Sequence, residues 1–193
     1  MKHSASGWLA LLFLTVAGTL SAQRPVANGA AREGKLSFDG KATAGDFVGT
    51  TTSVTGEITG GANLGAVVGW IEAPTGSLRT GNDHRDRDML TKSLEADKYP
   101  TLRFDLKSVT AQSGEGDSVA VTLKGELSIH GVSRSVELPG TVVLSASEAR
   151  IRTDFPVDVR DYKVGSLSRF LGMFKMDPNI VVHVDVTFAL HQA

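Results

Sequence analysis

The chain has no cysteine, 2 tryptophans, 2 tyrosines and 6 prolines in 193 residues. Without cysteine there is no disulfide framework, no thiol nucleophile and no thiolate metal site. An excess of positive charge is also missing. The 20 lysines and arginines face 21 aspartates and glutamates, so no basic patch is available to a phosphate backbone and nucleic acid is excluded as a partner. Long apolar runs are absent apart from one. Residues 1–22 combine Lys2, an apolar run from Trp8 to Leu20 and small residues at Ser21 and Ala22, the layout of a secretory signal and not of a membrane span. Cleavage near Ala22 removes Lys2 and leaves 19 basic against 21 acidic side chains, a formal charge of −2. With no cysteine to carry a lipid anchor, the expected product is soluble, periplasmic or secreted.

Catalytic signatures are missing too. No Gly-x-Ser-x-Gly elbow occurs, and the nearest match, Gly131-Val132-Ser133-Arg134-Ser135, falls in a hairpin pattern. The histidines, His3, His84, His130, His183 and His191, are scattered, with no spacing that pairs two metal ligands on one helix face. Gly60-Gly61 and Gly114-x-Gly116 read as turn glycines and not as a phosphate cradle. No catalytic residue and no metal ligand is assigned.

What is present is one domain's worth of β pattern. Residues 23–34 are small and polar and read as a flexible leader, and residues 35–193 as a single domain. Leu36 and Phe38 alternate with polar neighbours, and residues 47–58 are rich in threonine and valine, both signs of half-buried strands. The run from Ala66 to Ala73, with Val67, Val68, Trp70 and Ile71, is too apolar to alternate and is read as a strand buried on both sides. Leu102, Phe104 and Leu106 then share one face. Further strands follow through Val119 to Ile129 with a bend or bulge at Gly125, Val136 to Leu144, Ile151 to Val159 and Ile180 to Leu190. About eight strands close an up-and-down antiparallel barrel. Periodicity alone leaves an open sandwich as the alternative.

Between these strands stands one helix. Asn82 or Asp83 can cap its start, Asp86 places a carboxylate in the first turn, and Met89, Leu90 and Leu94 form a narrow apolar stripe. Asp88 and Lys92 make an i,i+4 pair assigned to the wet side, and Pro100 stops continuation. Arg85 lies near the positive end of the dipole, where a cation needs a receiving carboxylate or carbonyl. It is read as a structural clamp.

Two stretches carry a resemblance. Thr80-Gly81, Arg85-Asp86, Met89, Tyr99-Pro100 and Phe104 form one, and Gly125 to Pro139, GELSIHGVSRSVELP, the other. Together they resemble the signatures of the YceI-like family, small exported bacterial proteins that bind polyisoprenoid lipids. The likeness extends over about Lys35 to Leu190. It implies an all-β, lipocalin-like barrel with a long apolar interior, structural roles for Arg85, Asp86, Tyr99 and Pro100, and no enzymatic activity. No cofactor is implied beyond a bound isoprenoid lipid or quinone. An apolar lipid is the implied partner, with transient contact to a membrane or membrane protein and a homodimer as further options.

On that reading the candidate wall residues are Phe38, Phe47, Trp70, Leu102, Phe104, Leu127, Ile129, Phe155, Val184, Val186 and Phe188. A lid is sought between Tyr162 and Met176, where Phe170, Leu171, Met173, Phe174 and Met176 crowd into a loop or single helical turn. The same residues also fit a barrel plugged by its own side chains, acting in the envelope through a protein partner.

Overall fold

A computed structural model describes residues 25–115, 118–165, 168–169 and 174–191. Its strands are β1 (Gly29–Gly40), β2 (Phe47–Thr51), β3 (Thr55–Thr59), β4 (Val68–Pro74), β5 (Thr101–Glu115), β6 (Ser118–Ile129), β7 (Val132–Leu144), β8 (Glu148–Asp158), β9 (Ser168–Arg169), β10 (Phe174–Lys175) and β11 (Asn179–Leu190). Neighbours pair antiparallel, and β1 closes on β11 from Gly29 against Leu190 to Asp39 against Val181. That pairing decides for a barrel over a sandwich. Both β2 and β3 pair with β1, so they count as one interrupted strand and the barrel has eight staves. Its beginning lies earlier than the change of sequence texture at Lys35: residues 29–34, assigned above to a flexible leader, are paired with β11.

Alternation drives the inside-out sorting. On β11, Val182, Val184, Val186 and Phe188 are buried while His183, Asp185 and Thr187 are less so. The outer face carries ion pairs such as Arg150 and Arg152 with Asp185, and Lys124 with Glu137, the reverse of a lipid-exposed barrel wall.

β4 corrects the reading of a strand buried on both sides. Ile71 pairs with Phe104 toward the interior, but Val68 is 41% exposed and Trp70 pairs with Glu57 and Asp105. The Arg103 guanidinium, held by Glu72 and Asp105, stacks 4.6 Å from the Trp70 ring centre. A cation supplied from the next strand therefore covers the apolar letter on the wet face. The bulge expected at Gly125 falls across from it, between Leu106 and Ser108 on β5.

The helix α1 (Asp83–Asp88) continues through a π-helical turn over Met89–Ser93. Asn82 is the cap: its Oδ1 accepts from the Arg85 backbone N–H at 3.0 Å. The chain leaves through Glu95 at φ 43°.

The barrel has a helix end, with α1 and residues 41–46, and a far end closed by Val26, bridged to Gly61, and the turn Leu64–Ala66. Toward the far end Leu64, Val67, Val109, Val119, Val121 and Val142 are all buried in one cluster. Toward the helix end the wall widens. β7 pairs with β8 only from Thr141 to Leu144, and above that ladder the joins are side-chain bonds: Thr153 Oγ1 to the Pro139 carbonyl at 2.6 Å and Arg134 Nε to the Asp161 carbonyl at 2.8 Å.

Candidate functional site

Toward the helix end the inward side chains do not meet across the barrel. They enclose a cavity of about 560 Å³, in the range of small-molecule sites. Leu102 and Phe104 line it from β5, Leu127 and Ile129 from β6, and Phe155 from β8. Val184, Val186 and Phe188 complete the wall on β11. The interior is therefore neither wholly hollow nor wholly filled.

Phe38 and Phe47 form an aromatic corner, with ring centres 6.1 Å apart and planes at 86°. Each ring lies over the glycine across the strand pair, Phe38 over Gly49 and Phe47 over Gly40. A Cβ at Gly49 would sit 2.1 Å from the Phe38 ring. Glycine is required there by close approach.

Arg85 stands at this corner. Its Nε donates to Thr80 Oγ1 at 2.8 Å, its Nη2 to the Thr80 carbonyl at 3.0 Å, and its guanidinium stacks 4.3 Å above the Phe47 ring. Buried Asp86 accepts from the Thr80 N–H at 2.8 Å and the Thr80 hydroxyl at 2.6 Å. One threonine thus receives both members of the Arg-Asp pair and fixes the helix start over the opening. Asp88, expected on the wet side, borders the cavity with its side chain 15% exposed and binds Lys92 at 2.8 Å and His84 at 3.2 Å. The π-helical turn that follows Asp88 departs from the ideal helical wheel on which that expectation rests.

Tyr99 and Pro100 serve elsewhere. The Pro100 carbonyl accepts from the Thr75 N–H and the Tyr99 carbonyl from the Thr75 hydroxyl, both at 2.8 Å. The Tyr99 ring lies 4.3 Å from buried His130. His130 and Gly131, with φ of 51° and 71°, form a two-residue turn between Ile129 and Val132. His130 Nε2 lies 2.8 Å from Glu95 Oε2, and its Nδ1 3.3 Å from the Tyr162 carbonyl. The two sequence stretches singled out above therefore dock on one another.

Among the wall candidates, Trp70 borders the cavity, but strand alternation puts its ring on the outer face opposite Ile71. Tyr162 is buried off the cavity under Arg134, and burial pushes its phenol up from its ordinary pKa. Of the lid candidates, Phe170, Leu171 and Met173 lie outside the described residues. Phe174 belongs to β10, which pairs with β9 as a short ladder in place of the expected loop or helical turn. Met176 borders the cavity and bridges Ala42, while the Lys175 carbonyl accepts from the Thr43 N–H at 3.0 Å.

Sequence reasoning did not select Leu36, Ile71, Leu123, Leu138 and Ile151, which also line the cavity. Strand alternation in register with chosen neighbours was the signal for them. Of the histidines considered, His84 borders the cavity, His130 is in the Tyr99 lock and His183 is on the outer face. Among the described residues, no group of three or more His, Cys, Asp or Glu side chains comes together to hold a metal ion.

With this geometry in view, the family model of the YceI-like domain matches residues 30–188. The chain belongs to the YceI-like family. No curated protein matches it in sequence. In structure this YceI-like chain is similar to BcnA of Burkholderia cenocepacia, with 17% identity, TM-score 0.68, and coverage of 80% of this chain and 95% of the other. A polyisoprenoid binding domain from Saccharophagus degradans, implicated in plant cell wall breakdown, superposes with TM-score 0.69 at 16% identity, covering 86% of this chain and 99% of that domain. A YceI protein of Campylobacter jejuni gives TM-score 0.58 at 17% identity, with 75% and 85% covered. These likenesses establish the shared closed eight-stranded barrel.

Proposed function

We propose that this YceI-like protein binds a long apolar lipid, of the polyisoprenoid or isoprenoid quinone type, in the hollow part of its barrel. It stores or carries that lipid in the cell envelope and does not transform it. The observation that carries this reading is the cavity itself, walled by aliphatic and aromatic side chains from all nine strands of the sheet and bordered by polar groups mainly near the helix. A hydrocarbon chain offers no hydrogen bonds to satisfy, so area decides. Each 100 Å² or so removed from water stabilises the complex by about 2.5 kcal/mol, from which the costs of immobilisation are subtracted. The polyisoprenoid binding named for the Saccharophagus degradans domain supports the same class of ligand. Removal of residues 1–22 as a signal would deliver the domain to the periplasm or exterior.

The test is native mass spectrometry of protein purified without detergent, followed by organic extraction. A stoichiometric adduct that extracts as an isoprenoid lipid is expected, on a chain beginning near Gln23. A bare chain that takes up no added prenyl lipid refutes the reading.

A further inference from the structure

The lipid-binding reading leaves open what length of chain the site accepts, and the structure assigns a limit. We propose that the filled far part of the barrel is a floor, that Phe188 is its upper surface, and that the cavity accepts a hydrocarbon tail about four isoprene units long, tail first. This rests on the lipid-binding function above and adds a ruler to it.

The depth of the lined wall gives the length. Cavity-lining residues on β11 run from Ile180 to Phe188. At about 3.3 Å per residue and a tilt of about 40°, that stretch descends about 20 Å along the barrel axis. An extended isoprene unit has four chain carbons joined by bonds of about 1.5 Å and covers about 5 Å, so about four units reach the floor.

Phe188 suits a floor because of its neighbours. Its register partners are Ala31 on β1 and Ala149 on β8, so no bulky side chain beside it holds the ring against the wall. It is 1% exposed and lines the cavity, whereas buried Val121, Val142 and Ala149 do not. The tail-first orientation follows from chemistry. Around the floor stand Ile58, Leu106, Leu123, Leu138 and Val186, where a head group would lose its hydrogen bonds. Thr153, the polar side chain buried in this wall, already donates its hydroxyl to the Pro139 carbonyl. Asn82, His84, Arg85 and Lys175 border the cavity at the helix end, where a head group can stay hydrated.

The experiment titrates delipidated full-domain protein with prenols lengthened one isoprene unit at a time, read by calorimetry. Affinity is expected to rise with each unit through about the fourth and then stay level. In Phe188→Ala the break moves to a longer prenol, and in Val184→Phe, which keeps the wall apolar and projects a ring into the void, it moves to a shorter one. Circular dichroism confirms that each variant is folded. Affinity that climbs without a break to the longest prenol overturns the floor, as does a break that Val184→Phe leaves in place. Failure of every prenol to bind the parent protein refutes the lipid-binding reading and the ruler with it.

Discussion

Val109, Val119, Val121 and Val142 fill the far part of the barrel with each side chain buried, while Leu102, Phe104, Leu127 and Ile129, on β5 and β6 nearer the helix, face open space. The same alternation produces both, within β5 and β6 for every residue named except Val142, which is on β7. Cross-section makes the difference. At the far end β5, β6, β7 and β8 are laddered in turn, and Val26, Leu64 and Val67 close the bottom. Toward the helix β7 separates from β8, and the Phe38 and Phe47 rings lie over Gly49 and Gly40 on the wall. The teaching is a division of labour: close packing toward one end supplies stability, and an open interior toward the other supplies capacity.

The sharpest way to break this comparison is a pair of truncations. Leu64→Ala in the filled part is expected to cost about 2–5 kcal/mol, because it leaves a new void among fixed neighbours. Leu102→Ala on the hollow wall should cost less than about 1.5 kcal/mol, since one side of Leu102 already lacks partner atoms. Urea midpoints compare the two, and equal losses would contradict the division. Next in size, Glu95→Ala in the Tyr99 and His130 lock is expected to lower stability by about 1–3 kcal/mol, because buried His130 Nε2 loses its hydrogen-bond partner. Thermal melts measure it, and they should show the loss with or without lipid. Ile129→Phe sharpens the comparison from the other side. Adding a ring to the void should change stability by less than about 1.5 kcal/mol yet weaken prenyl lipid binding about tenfold or more, read by displacement of a bound fluorescent probe.

The smallest effect concerns pH and belongs to neither interior. His183 on the outer face has Asp154 at 2.6 Å on one nitrogen and Asp39 at 3.1 Å on the other. The hydrogen bond to Asp154 first, and that to Asp39 after it, raise its pKa above the ordinary 6.5. A raised folded value means that its stabilising contribution is fully present below pH 6.5 and is lost as pH rises through the folded pKa. His183→Gln should flatten that part of the melting profile while leaving lipid affinity unchanged. At a partly exposed site the change is small.

Much of the barrel was legible in the sequence. Val182 to Phe188 announced an inward face by strict alternation, and Asn82 or Asp83 announced the helix start, of which Asn82 is the cap. The hollow was not legible, because a leucine facing a core and a leucine facing a void are the same letter. Whether Leu127 meets a partner depends on the separation of β7 from β8, set by strands distant in sequence. Trp70 misled for a related reason. Its run of apolar neighbours suggested burial on both sides, and the cation that covers its ring comes from Arg103. Leu36 and Ile71 were recoverable by following strand parity, whereas the meeting of Arg85 and Asp86 at Thr80 needed coordinates.

The most direct measurement is methyl NMR with labelled leucine, valine and isoleucine, recorded before and after addition of a prenyl lipid. Shifts are expected at Leu102, Leu127, Ile129 and Val184, which line the cavity, and none of comparable size at Val109, Val119, Val121 and Val142, which do not. Shifts spread evenly over both sets, or confined to exposed Val48, Val68 and Val181, would contradict a barrel that is solid in one part and receptive in the other.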